Sequence, residues 1–138
     1  MFIDSSAFMA ILLGEPEAPA LLLRLAEQRH KPITSPVVRF EVVVSLARGR
    51  AEGRAIDAED IRLAEERFDE LMEMLGCSEV MVTTEIGRLA TQAAAIYGKV
   101  AGHPAQLNMG DCLSYAAAKA SGLPLLYKGG DFAQTDLA

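Results

Sequence analysis

The chain has 138 residues, of which 51% are hydrophobic, and a formal net charge of −6. That length fits one domain over residues 1–138 with a core of its own, and the hydrophobic share excludes a disordered chain. No apolar run approaches the ~20 residues of a membrane helix, and an acid at position 4 with no basic stretch before it is unlike a secretory leader, so a cytoplasmic protein without a membrane partner is expected.

Residues 1–5 read as a short buried strand, with Phe2 and Ile3 inside and Asp4 at its end. "SAFMAILLGEPEA" continues as helix and is interrupted by Gly14 and Pro16. The pattern then predicts a helix over 17–31, with Leu21, Leu22 and Leu25 inward and Arg24, Glu27 and Arg29 in water. "PITSP" is a very short strand, after which Ser35 caps a helix whose first residue is Pro36. That helix buries Val38, Val42 and Leu46 and sets Glu41, Ser45 and Arg48 on one stripe. Its valines keep a strand reading open, and the cap, the proline and the polar stripe weigh against it.

"RGRAEGR" is a polar connection, and Asp57 caps a long helix with Ile61, Ala64, Phe68, Leu71 and Leu75 on one face and Gly76 at its end. "SEVMVTT" is a strand, and the helix that follows is capped by Thr84. "AGHPAQLNM" is a loop and "GDCLSYAAAKASG" an Ala-rich helix stopped by Gly122. "LPLLYKGGDF" is a strand running into a Gly-Gly turn and Asp131, and "AQTDLA" offers the start of a final strand. The order reads β-α-β-α-β-α-β, which predicts an α/β/α fold in three layers around a parallel sheet of four to five strands.

The net acidity speaks against a nucleic-acid surface made of Lys and Arg. That objection lapses if the acids gather in one place and hold cations there. In open parallel sheets ligands bind beyond the carboxyl ends of the strands. Asp4 ends the first strand, Asp131 follows the last clear one, and Asp111 opens the helix before it. Glu41 lies one turn into a helix between Phe40 and Val42. Taken alone, Asp111 reads as a helix cap, Asp131 as a turn acid and Glu41 as a surface charge. Asp4 is harder to dismiss, because an acid at the tip of a buried strand loses hydration and has no Lys or Arg near it in sequence. Converging acids repel, and a hard cation held by oxygen relieves them: Mg²⁺, or Mn²⁺ in its place. Such a site supports phosphodiester cleavage. Cys77 and Cys112 have no metal spacing and read as free thiols, and neither His30 nor His103 sits in a triad pattern.

At these residues the chain resembles the PIN-domain ribonucleases, and within them the VapC-type toxins of toxin–antitoxin pairs. The resemblance is carried by "MFIDSSAFMAILLGEPEA", by "SPVVRFEVVVSLARG" and by "YGKVAGHPAQLNMGDCLSYAAAKASGLPLLYKGGDFAQTDL", nearly end to end. It implies a PIN-like fold with Asp4, Glu41 and Asp111 as the core acids and Asp131 as the fourth, Asp4 and Asp111 being the direct Mg²⁺ ligands. It implies that Ser5 or Ser6 supports the metal or its water, with Asn108 and Thr135 behind the carboxylates. It further implies an RNA substrate, a cognate antitoxin that lays a C-terminal segment over the acids, and a homodimer. Two departures stand out: Gly130 replaces an acid that the family often has before the fourth one, and the chain stops soon after "TDL".

The leading expectation is therefore a Mg²⁺-dependent endoribonuclease toxin, with Arg48, Arg50, Arg54, Lys99 and Lys128 as candidates for a basic rim. One alternative is a PIN domain with impaired catalysis that acts as a binding module, which only Gly130 favours. A further one is an aspartate-based phosphotransfer enzyme. Its phosphatase form needs a second acid two residues after the first, where Ser6 stands. No G-x-G-x-x-G follows a strand, so a dinucleotide fold is weaker still.

Overall fold

In a computed structural model, the residues described are 1–137. Four strands, β1 (Phe2–Ile3), β2 (Ile33–Thr34), β3 (Ser78–Glu79) and β4 (Leu125–Leu126), form one parallel sheet in the order β3-β2-β1-β4. Six α-helices connect them: α1 (Ser5–Leu13), α2 (Ala18–Ala26), α3 (Pro36–Ala51), α4 (Ala58–Leu75), α5 (Thr84–Tyr97) and α6 (Met109–Ser121). Each crossover carries two helices, matching the six helical segments read in the sequence, which the shorthand alternation merges in pairs. Parallel strands require such crossovers, since no hairpin can join them.

β1 and β2 are short because caps follow them at once. Asp4 is both the residue after β1 and the N-cap of α1, its side chain accepting from the Ser6 amide. Ser35 does the same after β2, its hydroxyl accepting from Val38 N at 3.3 Å. The expected strand over 1–5 thus closes at Ile3, and Ser5 is already helical. The ladder continues only through flanking groups, such as Phe2 N to Pro124 O and Asp4 N to Leu126 O, both 2.9 Å. The Thr34 hydroxyl adds a buried bond to Ile3 O at 2.9 Å, tying the two central strands beside the site.

Phe2, Ile3, Phe8, Phe68, Val38, Val42, Leu125, Leu126 and Phe132 are fully buried and make the core. Phe8 and Phe68 meet edge to face at 5.0 Å, which joins α1 to α4. Burying such an aromatic contributes several kcal/mol, on the order of 3–5 by truncation.

Several expectations are corrected. The helix expected over 17–31 stops at Ala26, because beyond Leu25 the segment "EQRHK" has no apolar residue to bury. Leu21 and Leu25 face the core as expected, while Leu22 is 39% exposed. The strand expected in "SEVMVTT" keeps only Ser78–Glu79, since β3 is an edge strand with a single two-residue partner; Met81 and Val82 are exposed. The cap of α5 is Thr83 and not Thr84, its hydroxyl accepting from Ile86 N. The helix expected through "GKV" ends at Tyr97, and Lys99–Ala101, where it gives way to the expected loop "AGHPAQLNM", form a 3₁₀ turn. No fifth strand forms among the described residues: Asp131–Gln134 make a 3₁₀ turn instead, with Phe132 buried against Tyr127. Ala138, the end of that expected strand, lies outside the described residues.

No single helix among the described residues is long and apolar enough to cross a membrane. The α1–α2 pair would suffice by length and composition, but it is bent by 117°.

Candidate active site

Asp4 is 2% exposed. Its Oδ2 accepts from Ser6 N at 2.9 Å and from Ser6 Oγ at 2.6 Å. Its Oδ1 is buried and has no hydrogen-bond partner among the described residues. A buried carboxylate oxygen left without a partner is costly, so this oxygen is where a cation or a proton would bind to most advantage. Ser6 Oγ in turn accepts from Lys128 N at 3.0 Å, which fixes the loop after β4 against the strand-end acid.

Glu41 projects from α3 toward the same place and is half-buried. Burial raises its pKa, the Ser5 hydroxyl pulls the other way, and the negative charges of Asp4 and Asp111 raise it further. Asp111 is the third residue of α6, in a reciprocal cap with Asn108. Its Oδ2 accepts from Asn108 N at 2.8 Å, and Asn108 Oδ1 accepts from Asp111 N at 3.1 Å. Burial raises its pKa, the Asn108 amide opposes that rise, and Asp4 and Asp131 add to it. Asp131 opens the C-terminal 3₁₀ turn, past Gly129 at φ +97°, and is exposed.

The structure thus brings these acids within electrostatic reach: Glu41 feels the charges of Asp4 and Asp111, and Asp111 those of Asp4 and Asp131. It does not close them into a cage, since among the described residues no three His, Cys, Asp or Glu side chains gather tightly enough to hold an ion. Mg²⁺ suits that arrangement, because it commonly takes one or two carboxylates and completes its shell with water and phosphate. The all-oxygen donor set and the orphan Oδ1 of Asp4 fit such a cation.

The supporting residues divide. Ser6 holds Asp4, Ser5 faces Glu41, and Asn108 orients Asp111 as the N-cap of α6. Thr135 is buried, its hydroxyl donating to Phe132 O at 2.8 Å and accepting from Leu137 N at 3.2 Å, so its bonds stay within the C-terminal turn. That turn is pinned to α6 by Asp136, which accepts from Tyr115 Oη at 2.7 Å and Lys119 Nζ at 2.6 Å.

The expected basic rim shrinks. Arg54 donates to both oxygens of Asp60 at 2.6 and 2.7 Å, and Arg50 lies 3.7 Å from the same acid. Lys128 pairs with Glu15 and, at 3.5 Å, with Glu17. Arg48 and Lys99 are exposed and make no ion pair among the described residues. Both cysteines are free, and burial pushes the Cys77 thiol up to about 12, which makes it inert. His103 accepts from Ala105 N at its Nδ1 and meets Tyr97 edge to face, an ordinary structural histidine.

Sequence reasoning passed over Gly110. A Cβ there would stand 2.7 Å from Cδ of Glu41, so the glycine lies against the glutamate's carboxylate. A lone glycine inside a helix, next to a candidate ligand, was the available signal.

The PIN domain family model matches residues 1–137. A VapC ribonuclease of Rhizobium meliloti is 49% identical over 139 residues, covering 99% of this chain and 98% of the relative. Ribonuclease VapC42 of Mycobacterium tuberculosis is 34% identical over 137 residues, covering 99% and 96%. Among solved structures, that of Mycobacterium tuberculosis VapC20, a sarcin–ricin-loop-cleaving toxin, superposes with a TM-score of 0.68 at 18% identity, covering 96% of this chain and 92% of that one. A toxin–antitoxin complex from Klebsiella pneumoniae gives 0.64, also at 18% identity, covering 99% and 92%. At that identity the two structures speak for the fold, whereas the two full-length sequence matches speak for the family. The chain belongs to the PIN-domain family and, within it, to the VapC ribonucleases.

Proposed function

We propose that this protein is a Mg²⁺-dependent endoribonuclease, the toxin of a toxin–antitoxin pair, and that Asp4, Glu41, Asp111 and Asp131 carry its chemistry. The observation that carries the reading is the buried, unpartnered Oδ1 of Asp4, in a cleft where Glu41 and Asp111 are both held above their ordinary pKa. Asp4 and Asp111 would hold the cation, Mg²⁺ or Mn²⁺, with Glu41 beside them. Bound there, the cation supplies positive charge for the phosphate and acidifies water. Asp131, which is exposed and acts on Asp111 electrostatically, would take the proton of the attacking water. The water oxygen bonds to phosphorus, the bond from phosphorus to the leaving ribose oxygen breaks, and solvent protonates that oxygen. Ser6 and Asn108 keep Asp4 and Asp111 oriented by hydrogen bonds, as the partners of metal ligands commonly do.

The cognate antitoxin, by this reading, covers the cleft with a segment that brings a cation among the acids, which would satisfy the same oxygens as the metal. A cytoplasmic homodimer and a single domain over the whole chain belong to the same proposal. An aspartate-based phosphotransfer reading is disfavoured, because the Ser6 hydroxyl is committed between Asp4 and Lys128 N and no acid stands two residues after Asp4.

The test is RNA cleavage with and without Mg²⁺ by wild type, Asp4→Asn and Asp111→Asn. Cleavage that needs the metal and is lost in both variants is expected. Variants that cleave as fast as wild type would refute the site, and a wild type saturated with metal that cleaves no RNA would leave the binding-module reading.

A further inference from the structure

Gly110 is the second residue of α6, and its backbone gives no reason for glycine: its φ is not among the positive ones. Glycine costs a helix stability relative to alanine, by lost backbone entropy. The reason must lie in what stands over the Cα. The three atoms nearest an added Cβ all belong to Glu41: Cδ at 2.7 Å, Oε2 at 3.1 Å and Oε1 closer still. The other glycines inside helices, Gly49 in α3 and Gly87 in α5, face open space. Gly110 is also buried, so the glutamate cannot be bypassed by turning a side chain at 110 into water.

We propose that Gly110 is a positioning residue, which admits the Glu41 carboxylate against the first turn of α6 and so brings it beside Asp4 and Asp111. Glu41 arrives from α3 and Asp111 from α6, and the missing Cβ sets how closely the two helices' acids approach. The first turn of α6 also presents the positive end of the helix dipole to that carboxylate, which favours an anion there. Because the glutamate is the flexible partner and the helix backbone is not, any side chain at 110 moves Glu41 out of the cleft. The inference rests on the metal-site reading above, since Gly110 acts on cation binding only through Glu41.

Mn²⁺ affinity, measured by calorimetry on wild type, Gly110→Ala, Glu41→Ala and the double variant, tests it. Gly110→Ala and Glu41→Ala should each weaken binding by about tenfold or more, and the double variant should be no weaker than Glu41→Ala. Gly49→Ala, the alanine in open space, should keep wild-type affinity. Undiminished affinity in Gly110→Ala, or losses that multiply in the double variant, would overturn the proposal, since the glycine would then act on Asp111 or not at all. If Glu41→Ala itself binds Mn²⁺ as wild type does, the metal role of Glu41 fails, and the steric coupling is decided separately by a crystal structure of Gly110→Ala. Glu41 swung away from α6 supports the coupling; Glu41 in place with α6 displaced overturns it.

Discussion

Two helices of this protein begin with the same device and put it to opposite uses. In α4, Asp57 and Asp60 form a reciprocal cap; in α6, Asn108 and Asp111 do. In both, the third residue is an aspartate that accepts from the backbone of the cap. Asp60 is buried, and Arg54 grips both of its oxygens with Arg50 close behind, so its pKa is lowered. Asp111 has no such cation. It loses water to burial and faces Asp4 and Asp131, so its pKa is raised. The local motif orients a carboxylate; the neighbours that the fold supplies decide whether it becomes a structural ion pair or a crowded acid.

Removing one acid from each region should give opposite outcomes, and this is the largest expected effect. Asp4→Asn or Asp111→Asn should lower RNA cleavage by at least about a hundredfold, with thermal stability in the absence of metal kept or increased. Asp60→Asn should lower the melting temperature while leaving cleavage per folded molecule within about twofold, as expected for a distant, independent site. Equal losses of cleavage at both places would erase the distinction. Next in size, Ser6→Ala removes the hydroxyl that joins Asp4 to the loop after β4 and should weaken Mn²⁺ binding by about 10–100-fold, read by calorimetry; unchanged affinity would leave Ser6 a mere cap.

The pH responses should also run in opposite directions. Glu41 and Asp111 have raised pKa values in the folded state. Their contribution to stability is complete below the ordinary carboxylate value, near 4, and is lost as pH rises through their folded values. Without metal, this should lower the melting temperature from mildly acidic toward neutral pH, and saturating Mg²⁺ should restore it. Asp60 has a lowered pKa, so its contribution is present above the ordinary value and is lost as pH falls through the folded one. Melting curves of Asp60→Asn and Asp111→Asn against pH separate the two. A metal-free melting temperature that rises steadily to neutral pH in wild type, and does so unchanged in Asp111→Asn, would contradict the crowding.

The smallest expected effect is at the C-terminal turn. Asp136→Asn removes the exposed acid that Lys119 and Tyr115 hold. It should cost less than about 1 kcal/mol by denaturant titration. Cleavage should fall modestly, because the turn that carries Asp131 loosens; a loss as large as that of Asp111→Asn would place Asp136 nearer the chemistry than its contacts suggest.

Much of the architecture is legible in the chain because its signals are local. Ser35 before Pro36, Asp57 before the α4 stripe, and Gly76 and Gly122 after their helices mark boundaries with short-range chemistry. The strand lengths are not legible, because Met81 and Val82 have strand propensity but β2 ends at Thr34, whose carbonyl accepts from Val80 N as the last rung. The absence of a fifth strand is of the same kind: "AQTDL" is settled by Phe132 entering the core and by Asp136 reaching Lys119. For the proposed site, Asp4, Asp111 and Asp131 stood out in the sequence because strand ends and helix starts are where such folds bind ligands, whereas Glu41, one turn into α3, stood out only by its place between Phe40 and Val42.

By itself, the sequence determined the order of helices and strands, the caps at Ser35 and Asp57, and which carboxylates stood at the ends of strands and helices. These depend on residues within a few positions of one another. Only the tertiary structure decided which acids are neutralised and which are crowded. Asp60 meets Arg54 across the α3–α4 connection, Asp4 meets Glu41 and Asp111 across most of the chain, and Gly110 makes room for a side chain from another helix. Burial and charge at a site are sums over neighbours distant in sequence, so no local pattern carries them.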